Sequence, residues 1–405
     1  MPEVVAFLNT LNATRFDAGA EKVVRLLRQG FEAEEIATRM LSILPPGSHT
    51  QTSETTSQQI RSSSVYFPYP ERNHRTMSKI AFHILENWNP LAVERTRRIG
   101  LIDDATVLFS HNLRGFSTGV WSLQNRSADL IKAHYIHDYQ LACTASSIMR
   151  NGTECLTPCA SCRLLTDGRR RMSANVDIVY GASEYILDYH IGRGFFPRAI
   201  AKVIEPPLDL DGQIKRPYVK RPIRRFGFLG RIVKEKGITE LLDGFARFRH
   251  NLSADDASSA ELIIAGGGEG PFFDAQIARV DSMSGVRYAG VMKPHAFFDS
   301  VDALVVPSIW PDPNPFVVVE AYQHGLPVIA ASVGGLRQSV VNDKTGLLFA
   351  HNLSNGGMVS ALQRAWDGIP ISPDAMQGKV TQRDYRLAIN TILHDIMAIR
   401  SKTAQ

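Results

Sequence analysis

The sequence from Phe226 to Ser308 alternates short apolar runs with longer amphipathic ones. The runs read FGFLG (226–230), TELLDGFARFRH (239–250), ELIIAG (261–266), PFFDAQIARV (271–280), VRYAG (286–290), AFFDSV (296–301) and ALVVPS (303–308). Strands buried on both faces of a parallel sheet are nearly continuous apolar runs, and the helices that connect them cover the sheet. The pattern therefore predicts an α/β domain with a doubly wound parallel sheet.

The rest of the chain predicts a second domain, because 405 residues exceed what one hydrophobic core usually supports. Less regular strand and helix patterns before residue 208 indicate another Rossmann-like unit. We predict an N-terminal domain over residues 1–208, a linker over 209–223, a C-terminal domain over 224–380 and a final helix over 381–405. The two domains would face a cleft. The final helix would cross back to the first domain through an apolar stripe formed by Leu387, Ile389, Ile392, Leu393 and Ile396.

Composition sets limits on the class of protein. Hydrophobic residues at 44% and charged residues at 21% are typical of a folded globular chain. The Ser- and Thr-rich stretch over 47–64 predicts a loop. No run of 18 apolar residues occurs, and the first residues lack the pattern of a secretory signal, so we expect a cytoplasmic protein with at most peripheral membrane contact.

The net charge of +5 concentrates in three basic clusters, at Arg95–Arg98, Arg169–Arg171 and Lys215–Arg225. These clusters are either solvated loops and a linker or a surface for anionic lipid at the inner face of a membrane. Aromatic residues are not interleaved with them, so we expect no nucleic-acid partner.

Polar side chains end two predicted strands of the first domain. His111 and Asn112 follow one apolar run, and His137 and Asp138 follow the next. In open α/β sheets, ligands bind outside the carboxyl ends of the strands. These four residues are therefore candidates for a ligand site by position.

Glycines mark three turns after strands of the second domain, at Gly230, at Gly266–Gly270 and at Gly290. Such glycines either serve the turn alone or let the backbone approach a phosphate at a helix N-terminus. Arg231 and Lys236 place two cations at the first of these turns. Pairing with a diphosphate would contribute about 1.5 to 3 kcal/mol per charge-assisted hydrogen bond.

A proline-rich loop and a helix follow the strand that ends near Ser308, in the segment PSIWPDPNPFVVVEAYQHGLPVIA (307–330). Asp312 lies eight residues before Glu320, and the helix is predicted to begin near Phe316. The helix dipole would then face Asp312, and Glu320 would lie one turn further on, where a carboxylate can accept both hydroxyls of a ribose.

This segment resembles the retaining GT-B glycosyltransferases of family four, known as glycosyl transferases group 1. Their signature is two glutamates separated by seven residues, and Asp312 stands here in place of the first. The resemblance extends to FLGRIVKEKG (228–237), LIIAGGGEG (262–270), VDALVVPS (301–308) and GGLRQSVVNDKTGLLF (334–349), where Gln338 replaces a usual glutamate. It covers the first domain more loosely, through Gly19 and the segment around His137.

The resemblance also implies roles for individual residues. Arg231 and Lys236, with the turns at Gly230 and Gly266, would bind the donor diphosphate. Glu320 would bind the ribose, while the donor sugar would contact Asp312, His137 and the backbone of Asn314, Pro315, Phe316 and Val317. Gly19 would belong to the same donor site. The family needs no metal cofactor for catalysis, and no Asp-x-Asp motif stands at a strand end of this sequence.

These implications predict a hexosyltransferase that uses a UDP- or GDP-sugar and a glycan or lipid-linked acceptor, with retention, in surface polysaccharide biosynthesis. Asp312 and Gln338 motivate an alternative, an inactive nucleotide-sugar-binding protein of the same fold. A third hypothesis, nucleic-acid binding, would rest on Arg169–Arg171 and the cysteines.

All four cysteines lie in one segment, as Cys143, Cys155, Cys159 and Cys162. Four thiolates this close in sequence suit a structural zinc ion, although the spacing is not a standard pair of C-x2-C motifs. Buried free thiols and a redox role are the alternatives.

Overall fold

The computed structural model describes residues 2–11, 19–44, 57–61, 76–150, 152–210, 217–350 and 356–403. The chain divides into two compact units. Unit 1 comprises Met1–Arg150, Cys155–Asp209 and Asp384–Gln405, and unit 2 comprises Asn151–Glu154 and Leu210–Arg383. Among the described residues, no helix combines the length and the hydrophobicity needed to cross a bilayer.

The described strands are β1 Val4–Asn9, β2 Ala37–Leu44, β3 Ser57–Arg61, β4 Val107–Ser110, β5 Ile131–Ile136, β6 Met149–Arg150, β7 Thr153–Glu154, β8 Ile178–Gly181, β9 Ile200–Val203, β10 Arg225–Leu229, β11 Glu261–Ala265, β12 Val286–Tyr288, β13 Ala303–Val306, β14 Val328–Ala331 and β15 Gly346–Phe349.

The described α-helices are α1 Gly19–Ala33, α2 Thr76–Leu85, α3 Pro90–Arg98, α4 Ala160–Met172, α5 Glu184–Ile191, α6 Ile238–His250, α7 Ala254–Ser259, α8 Gly270–Ser282, α9 Pro294–Ser300, α10 Phe316–Gln323, α11 Leu336–Ser339, α12 Gly356–Asp367, α13 Pro373–Thr381 and α14 Tyr385–Thr403. Short 3-10 turns occur at Thr118–Ser122, Ser173–Asn175 and Lys234–Lys236.

Unit 1 contains a seven-stranded sheet in the order β3-β2-β1-β4-β5-β8-β9. Every pairing in it is parallel, and in the register Phe7 of β1 lies opposite both Met40 and Phe109. The residues of β1 from Val5 to Leu8 are fully buried, because helices cover both faces of a parallel sheet. This arrangement confirms the predicted Rossmann-like architecture of the first half.

Strand β3 corrects the prediction of a loop over residues 47–64. Residues Ser57–Arg61 pair in parallel with β2 at the edge of the sheet, while 47–56 and 62–64 lie outside the described residues. Ile60 is the apolar residue that anchors this strand, and it is buried. The polar sequence SQQIR is tolerated because an edge strand gains its hydrogen bonds from one neighbour and leaves its other side to solvent.

Unit 2 contains a six-stranded parallel sheet in the order β12-β11-β10-β13-β14-β15. Its apolar strands and helices follow the predicted alternation. Phe226 of β10 packs edge-on against Phe245 and Phe248 of α6, with ring centroids 6.1 and 5.6 Å away. The reversal of strand order between β10 and β13 makes the carboxyl edge at this point a place where ligands bind in α/β sheets.

Helix α14 returns to unit 1, as predicted. It packs against α1 so closely that a Cβ atom on Gly30 would lie 2.4 Å from Cγ1 of Ile389. Asp395 of the same helix accepts a hydrogen bond from the hydroxyl of Tyr180 at 3.2 Å. Leu387 departs from the predicted stripe, because it faces solvent while the other four apolar residues of the stripe are buried.

Candidate active site

Two glycine turns of unit 2 lie in direct contact at the carboxyl edge of the sheet. The amide of Gly230 donates to the carbonyl of Ala265 at 3.1 Å. Gly266 has a φ of +135°, and a Cβ on it would lie 1.8 Å from the carbonyl oxygen of Gly230. Only glycine fits at Gly266, and the exposed side chain of Arg231 follows this crowded turn.

Lys236 is held at the same edge by the residue that follows it. Gly237 has a φ of +74°, and a Cβ at this position would lie 1.9 Å from the carbonyl oxygen of Pro307. The turn therefore packs against the end of β13. The amide of Ile309 also donates to the carbonyl of Glu235 at 3.0 Å, which joins the two loops.

Lys236 and Asp312 form an ion pair across these loops. The Nζ atom of Lys236 lies 2.5 Å from Oδ2 of Asp312 and 5.6 Å from the ring centroid of Trp310. The side chain of Asp312 is 7% exposed and that of Lys236 is 23% exposed. A cation and a carboxylate so poorly hydrated stabilise each other only while both are present, since either one alone would be a buried charge.

The glycine pair at Gly334 and Gly335 fixes the backbone of Asp312. The amide of Gly335 donates to the carbonyl of Asp312 at 2.8 Å. Gly334 has a φ of +50°, and a Cβ on it would lie 2.6 Å from that same carbonyl oxygen. The loop that leads to Gln338 is thus packed directly against Asp312.

Helix α10 begins at this edge, at Phe316 as predicted. Pro315 precedes it and contributes no capping side chain to its first amides. Asn314 is buried, and its Oδ1 accepts hydrogen bonds from Ser339 at 3.0 Å and from Arg383 at 2.8 Å. Val317 and Glu320 are half-buried on the first turns of the helix. The residues predicted in unit 2 therefore all lie at one edge of one sheet.

In unit 1, the imidazoles of His111 and His137 share a hydrogen bond at the ends of β4 and β5. Nδ1 of His111 lies 2.9 Å from Nε2 of His137. His111 is buried and stacks on the rings of Phe7 and Tyr135, with centroids 5.7 and 5.8 Å away. Burial lowers the pKa of His137 to about 3 and holds that of His111 well below its usual value, so both rings are neutral at pH 7.

The environment favours one tautomer of this pair. Within the described part of the chain, Nε2 of His111 has no hydrogen-bond partner. A buried N–H without an acceptor costs about 1 to 3 kcal/mol. The pair is therefore best satisfied when His111 donates from Nδ1 to Nε2 of His137, which leaves His137 with a proton on Nδ1.

A second polar pair at the carboxyl edge of unit 1 joins β1 to α1. Nδ2 of Asn9 donates to Oε1 of Glu21 at 3.0 Å, and the amide of Asn112 donates to Oδ1 of Asn9 at 3.2 Å. Burial raises the pKa of Glu21. Gly19 is the exposed first residue of α1, and residues 12–18 before it lie outside the described ones. Asn9 is not among the predicted site residues, although it shows the same pattern as His111: a polar side chain at the end of an apolar strand.

Asp138 is not an isolated ligand group but part of a half-buried network of charged side chains. Its Oδ2 lies 3.0 Å from Arg114, and its Oδ1 accepts the amide of Gln140 at 2.7 Å. Arg169 is buried, where it donates to the carbonyl of Gln140. The expectation that Arg169–Arg171 is a solvated cluster is therefore wrong for its first member. The network fixes the chain directly after His137.

The zinc site that the cysteine spacing suggests stays a prediction, and the structure gives the contacts of the thiols. None of the four forms a disulfide bond, and Cys143 and Cys162 are both buried. The thiol of Cys162 donates to Cys143, which lowers the pKa of Cys143 to about 6 and raises that of Cys162 to about 12. Sγ of Cys159 lies instead 3.2 Å from the hydroxyl of Ser161. Across the described ranges, no three His, Cys, Asp or Glu side chains are placed to hold a metal ion.

Comparison with known proteins agrees with this geometry. Residues 223–367 match a family model described as Glycosyl transferases group 1. An uncharacterized 42.6 kDa protein in the cps region of Klebsiella pneumoniae is 26% identical over 347 residues, which cover 82% of this chain and 86% of that protein. The family match covers the sheet that carries Lys236, Asp312 and Glu320.

Two solved structures resemble the whole chain. Sucrose-phosphate synthase from Thermosynechococcus elongatus is 17% identical with a TM-score of 0.70, over 98% of this chain and 100% of that one. HepE of Anabaena, in complex with UDP and glucose, is 14% identical with a TM-score of 0.64, over 98% and 100% of the two chains. These likenesses confirm the predicted GT-B fold. The family match, over residues 223–367, supports a glycosyltransferase.

Proposed function

We propose that this chain transfers a hexose from a nucleoside diphosphate sugar to a glycan or lipid-linked acceptor, with retention of anomeric configuration. The observation that carries the proposal is the Lys236–Asp312 ion pair, held at the carboxyl edge of unit 2 beside the glycine turns at Gly230 and Gly266. A cation and a poorly hydrated carboxylate at such an edge suit a ligand that is both a phosphate and a polyol.

Donor binding would exchange the partners of this pair. The diphosphate carries more negative charge than a single carboxylate. It would therefore bind the ammonium of Lys236 in place of Asp312, and it would also bind the exposed guanidinium of Arg231. Asp312 would then be free to accept hydrogen bonds from hydroxyls of the donor sugar. The backbone amides of Asn314, Phe316 and Val317, at the start of α10, would donate to the same ligand. Glu320 would accept the ribose hydroxyls.

Catalysis would act on the leaving group. The bond between the anomeric carbon and the β-phosphate oxygen breaks, and negative charge develops on that phosphate. Arg231 and Lys236 would be in place before the reaction, and preorganised charge of this kind is commonly the largest catalytic contribution. The acceptor oxygen attacks from the face that the diphosphate leaves, and its proton passes to a phosphate oxygen. This scheme needs no metal cofactor.

His137 would act as a neutral hydrogen-bonding group toward the donor sugar. Its lowered pKa keeps it uncharged at pH 7, so it does not repel the positive charge that develops on the sugar ring in the transition state. Its Nδ1 proton would be offered to a sugar hydroxyl. Gly19 at the start of α1 completes the residues that we assign to the donor.

The biological setting follows from the relatives. The similar Klebsiella protein is encoded in a cps region, and HepE binds UDP. We infer from these that the donor is a UDP-sugar or a GDP-sugar and that the product belongs to a surface polysaccharide. A lipid-linked acceptor would place the reaction at the inner face of the membrane, with peripheral contact to anionic lipid.

Thermal unfolding with a panel of UDP-, GDP- and ADP-sugars tests the donor assignment. A ligand at 100 times its dissociation constant should add about 2.7 kcal/mol to the free energy of unfolding. We expect one donor class to stabilise the protein and both Arg231→Ala and Glu320→Ala to abolish the effect.

Glu261→Ala and Arg287→Ala are the matched controls, because that ion pair lies at the amino end of the same sheet. Both controls should keep the stabilisation. Stabilisation that survives Arg231→Ala and Glu320→Ala would overturn the site. Donor binding without any turnover, with several acceptors, would favour the alternative of an inactive nucleotide-sugar-binding protein.

A further inference from the structure

Helices α2 and α3 of unit 1 expose a row of large apolar side chains. Most residues of this kind in the described chain are buried, so a cluster of exposed ones indicates a surface that meets a partner. The exposed residues and their solvent-exposed fractions are Met77 (73%), Ile80 (37%), Ile84 (56%), Trp88 (46%) and Leu91 (59%). We call these five residues the apolar stripe.

Three members of the stripe, Met77, Ile80 and Ile84, lie on one face of α2. They follow one another at intervals of three and four residues, which is the repeat of one helix face, while Trp88 lies in the turn after α2 and Leu91 lies on the first turn of α3. The opposite side packs into unit 1, where Phe82 and Glu86 are 3% and 4% exposed. Helix α2 is therefore apolar on the side that faces solvent as well as on the side that faces the core.

Two anchors place the stripe at the carboxyl edge of the sheet in unit 1. The carboxylate of Glu86 accepts the amide of Gly115, in the loop after β4, at 2.7 Å. Arg95 of α3 donates to the carbonyl of Arg61, the last residue of β3, at 2.8 Å. The same edge carries His111 and His137. A molecule that covers the stripe would therefore lie beside the residues at the ends of β4 and β5.

The charge around the stripe is positive. Lys79, Arg95, Arg97 and Arg98 lie on α2 and α3 with their side chains exposed, and the carboxylates of Glu94 and Asp103 lie near the arginines at the end of α3. Arg97 and Arg98 both contact Glu94, so the group keeps a net positive charge. Apolar side chains that include a tryptophan, with cations on the flank, match the boundary between acyl chains and anionic headgroups.

We propose that the apolar stripe and the cations of α3 dock this protein on the surface of an anionic lipid bilayer. The aliphatic side chains and Trp88 enter the headgroup boundary, and the arginines remain level with the phosphates. The inference rests on the proposed function only for the acceptor: a lipid-linked acceptor would then arrive at the edge that carries His137. Binding to lipid itself needs neither donor nor transfer.

Cosedimentation of the full chain with vesicles tests the proposal. We expect binding to vesicles of phosphatidylglycerol and phosphatidylcholine, much weaker binding to phosphatidylcholine alone, and loss of binding at high salt. Ile84→Ser with Trp88→Ser should lower the partition coefficient at least about tenfold, because each residue loses buried apolar surface. Val291→Ser is the matched control, since Val291 is 81% exposed in unit 2, and it should change nothing.

A second variant, which removes charge from exposed side chains only, tests the proposal without changing any buried residue. Arg97→Gln with Arg98→Gln affects only exposed side chains, and about 1 kcal/mol per basic residue corresponds to about fivefold weaker binding for each. Equal binding of wild type and both variants would overturn the proposal. So would a stripe variant that turns a dimer into a monomer without changing vesicle binding, because the stripe would then be a self-association surface.

The vesicle-binding experiment and the donor-binding experiment can each fail without the other. A stripe variant that still gains thermal stability from the donor sugar but no longer binds vesicles supports the docking surface. Vesicle binding in a protein that no donor stabilises would leave the surface standing and contradict the proposed transferase.

Discussion

The ammonium of Lys236 lies 2.5 Å from the carboxylate of Asp312, although the two residues are 76 positions apart in the sequence. Strands β10 and β13 bring them together because they are neighbours in the sheet of unit 2. The pair stands where the donor diphosphate and sugar are proposed to bind. The two side chains are therefore already in contact at the proposed site before the donor binds.

Lys236→Ala should weaken the binding of the free nucleoside diphosphate. The variant loses a charge-assisted hydrogen bond of about 1.5 to 3 kcal/mol, which corresponds to an affinity loss of about 10- to 150-fold. Isothermal titration measures the change. Lys234→Ala is the control, because Lys234 is exposed on the same 3-10 turn and should leave the affinity within about twofold. Equal losses in the two variants would show that only net charge matters.

Gly237→Ala should disrupt the same site through the backbone. Alanine strongly disfavours a φ of +74°, and its Cβ would lie 1.9 Å from the carbonyl oxygen of Pro307. We expect a loss of at least about 2 kcal/mol in the free energy of unfolding, with loss of donor binding. Gly378→Ala is the control, since that helical glycine has open space around it and should tolerate alanine. Urea unfolding compares the two, and an unaffected Gly237→Ala would contradict the described turn.

His111 should act as a positioning residue for His137. His111→Asn retains a donor near the place of Nδ1, whereas His111→Phe keeps the ring stacking but leaves Nε2 of His137 without its partner. Loss of one such hydrogen bond is worth about 0.5 to 1.5 kcal/mol. We expect kcat to fall several-fold in His111→Phe and to recover in large part in His111→Asn. Nitrogen NMR of His137 should show the proton on Nδ1 in wild type, and a proton on Nε2 would refute the assignment.

Acid should destabilise unit 1 through His190. This ring is fully buried, and burial lowers its pKa from 6.5 to about 4. The unfolded chain takes up a proton near pH 6.5 while the folded chain does not until about pH 4, so stability is lost as pH falls through this window. The contribution is at most about 1.4 kcal/mol per pH unit.

His190→Phe should flatten the dependence of the free energy of unfolding on pH between 6.5 and 4, measured by urea unfolding at several pH values. His295→Phe is the control, because His295 is exposed in unit 2. An unchanged slope in His190→Phe would mean that other groups carry the acid sensitivity.

The sequence predicts the elements of unit 2 well because its strands are uniformly apolar and its turns are marked by glycine. It also identifies Lys236, Asp312 and His137 as edge residues. It does not predict the contacts Lys236–Asp312 and His111–His137, since these depend on which strands are neighbours, and periodicity carries no information on strand order.

Three local predictions are wrong, again because of contacts that the local sequence does not show. Strand β3 is polar and forms because β2 offers it an edge, while Leu387 follows the helical repeat yet lies beyond the packed face of α14. Arg169 belongs to a basic run but is buried against the carbonyl of Gln140. In each case the outcome depends on a partner distant in sequence. The cysteine spacing suggests four metal ligands, and that zinc site stays a prediction; the structure shows a hydrogen bond between the thiols of Cys143 and Cys162.

Proton NMR of donor turnover by the full chain tests the central claim most directly. The donor that stabilises the protein is followed at its anomeric proton, with water or a glycan as acceptor, in wild type and in Asp312→Asn. The account predicts that an α-linked donor first yields the α-anomer and that Asp312→Asn reduces turnover at least about tenfold while it still binds the free nucleoside diphosphate. A β-anomer formed first, or turnover unchanged in Asp312→Asn, would contradict the account.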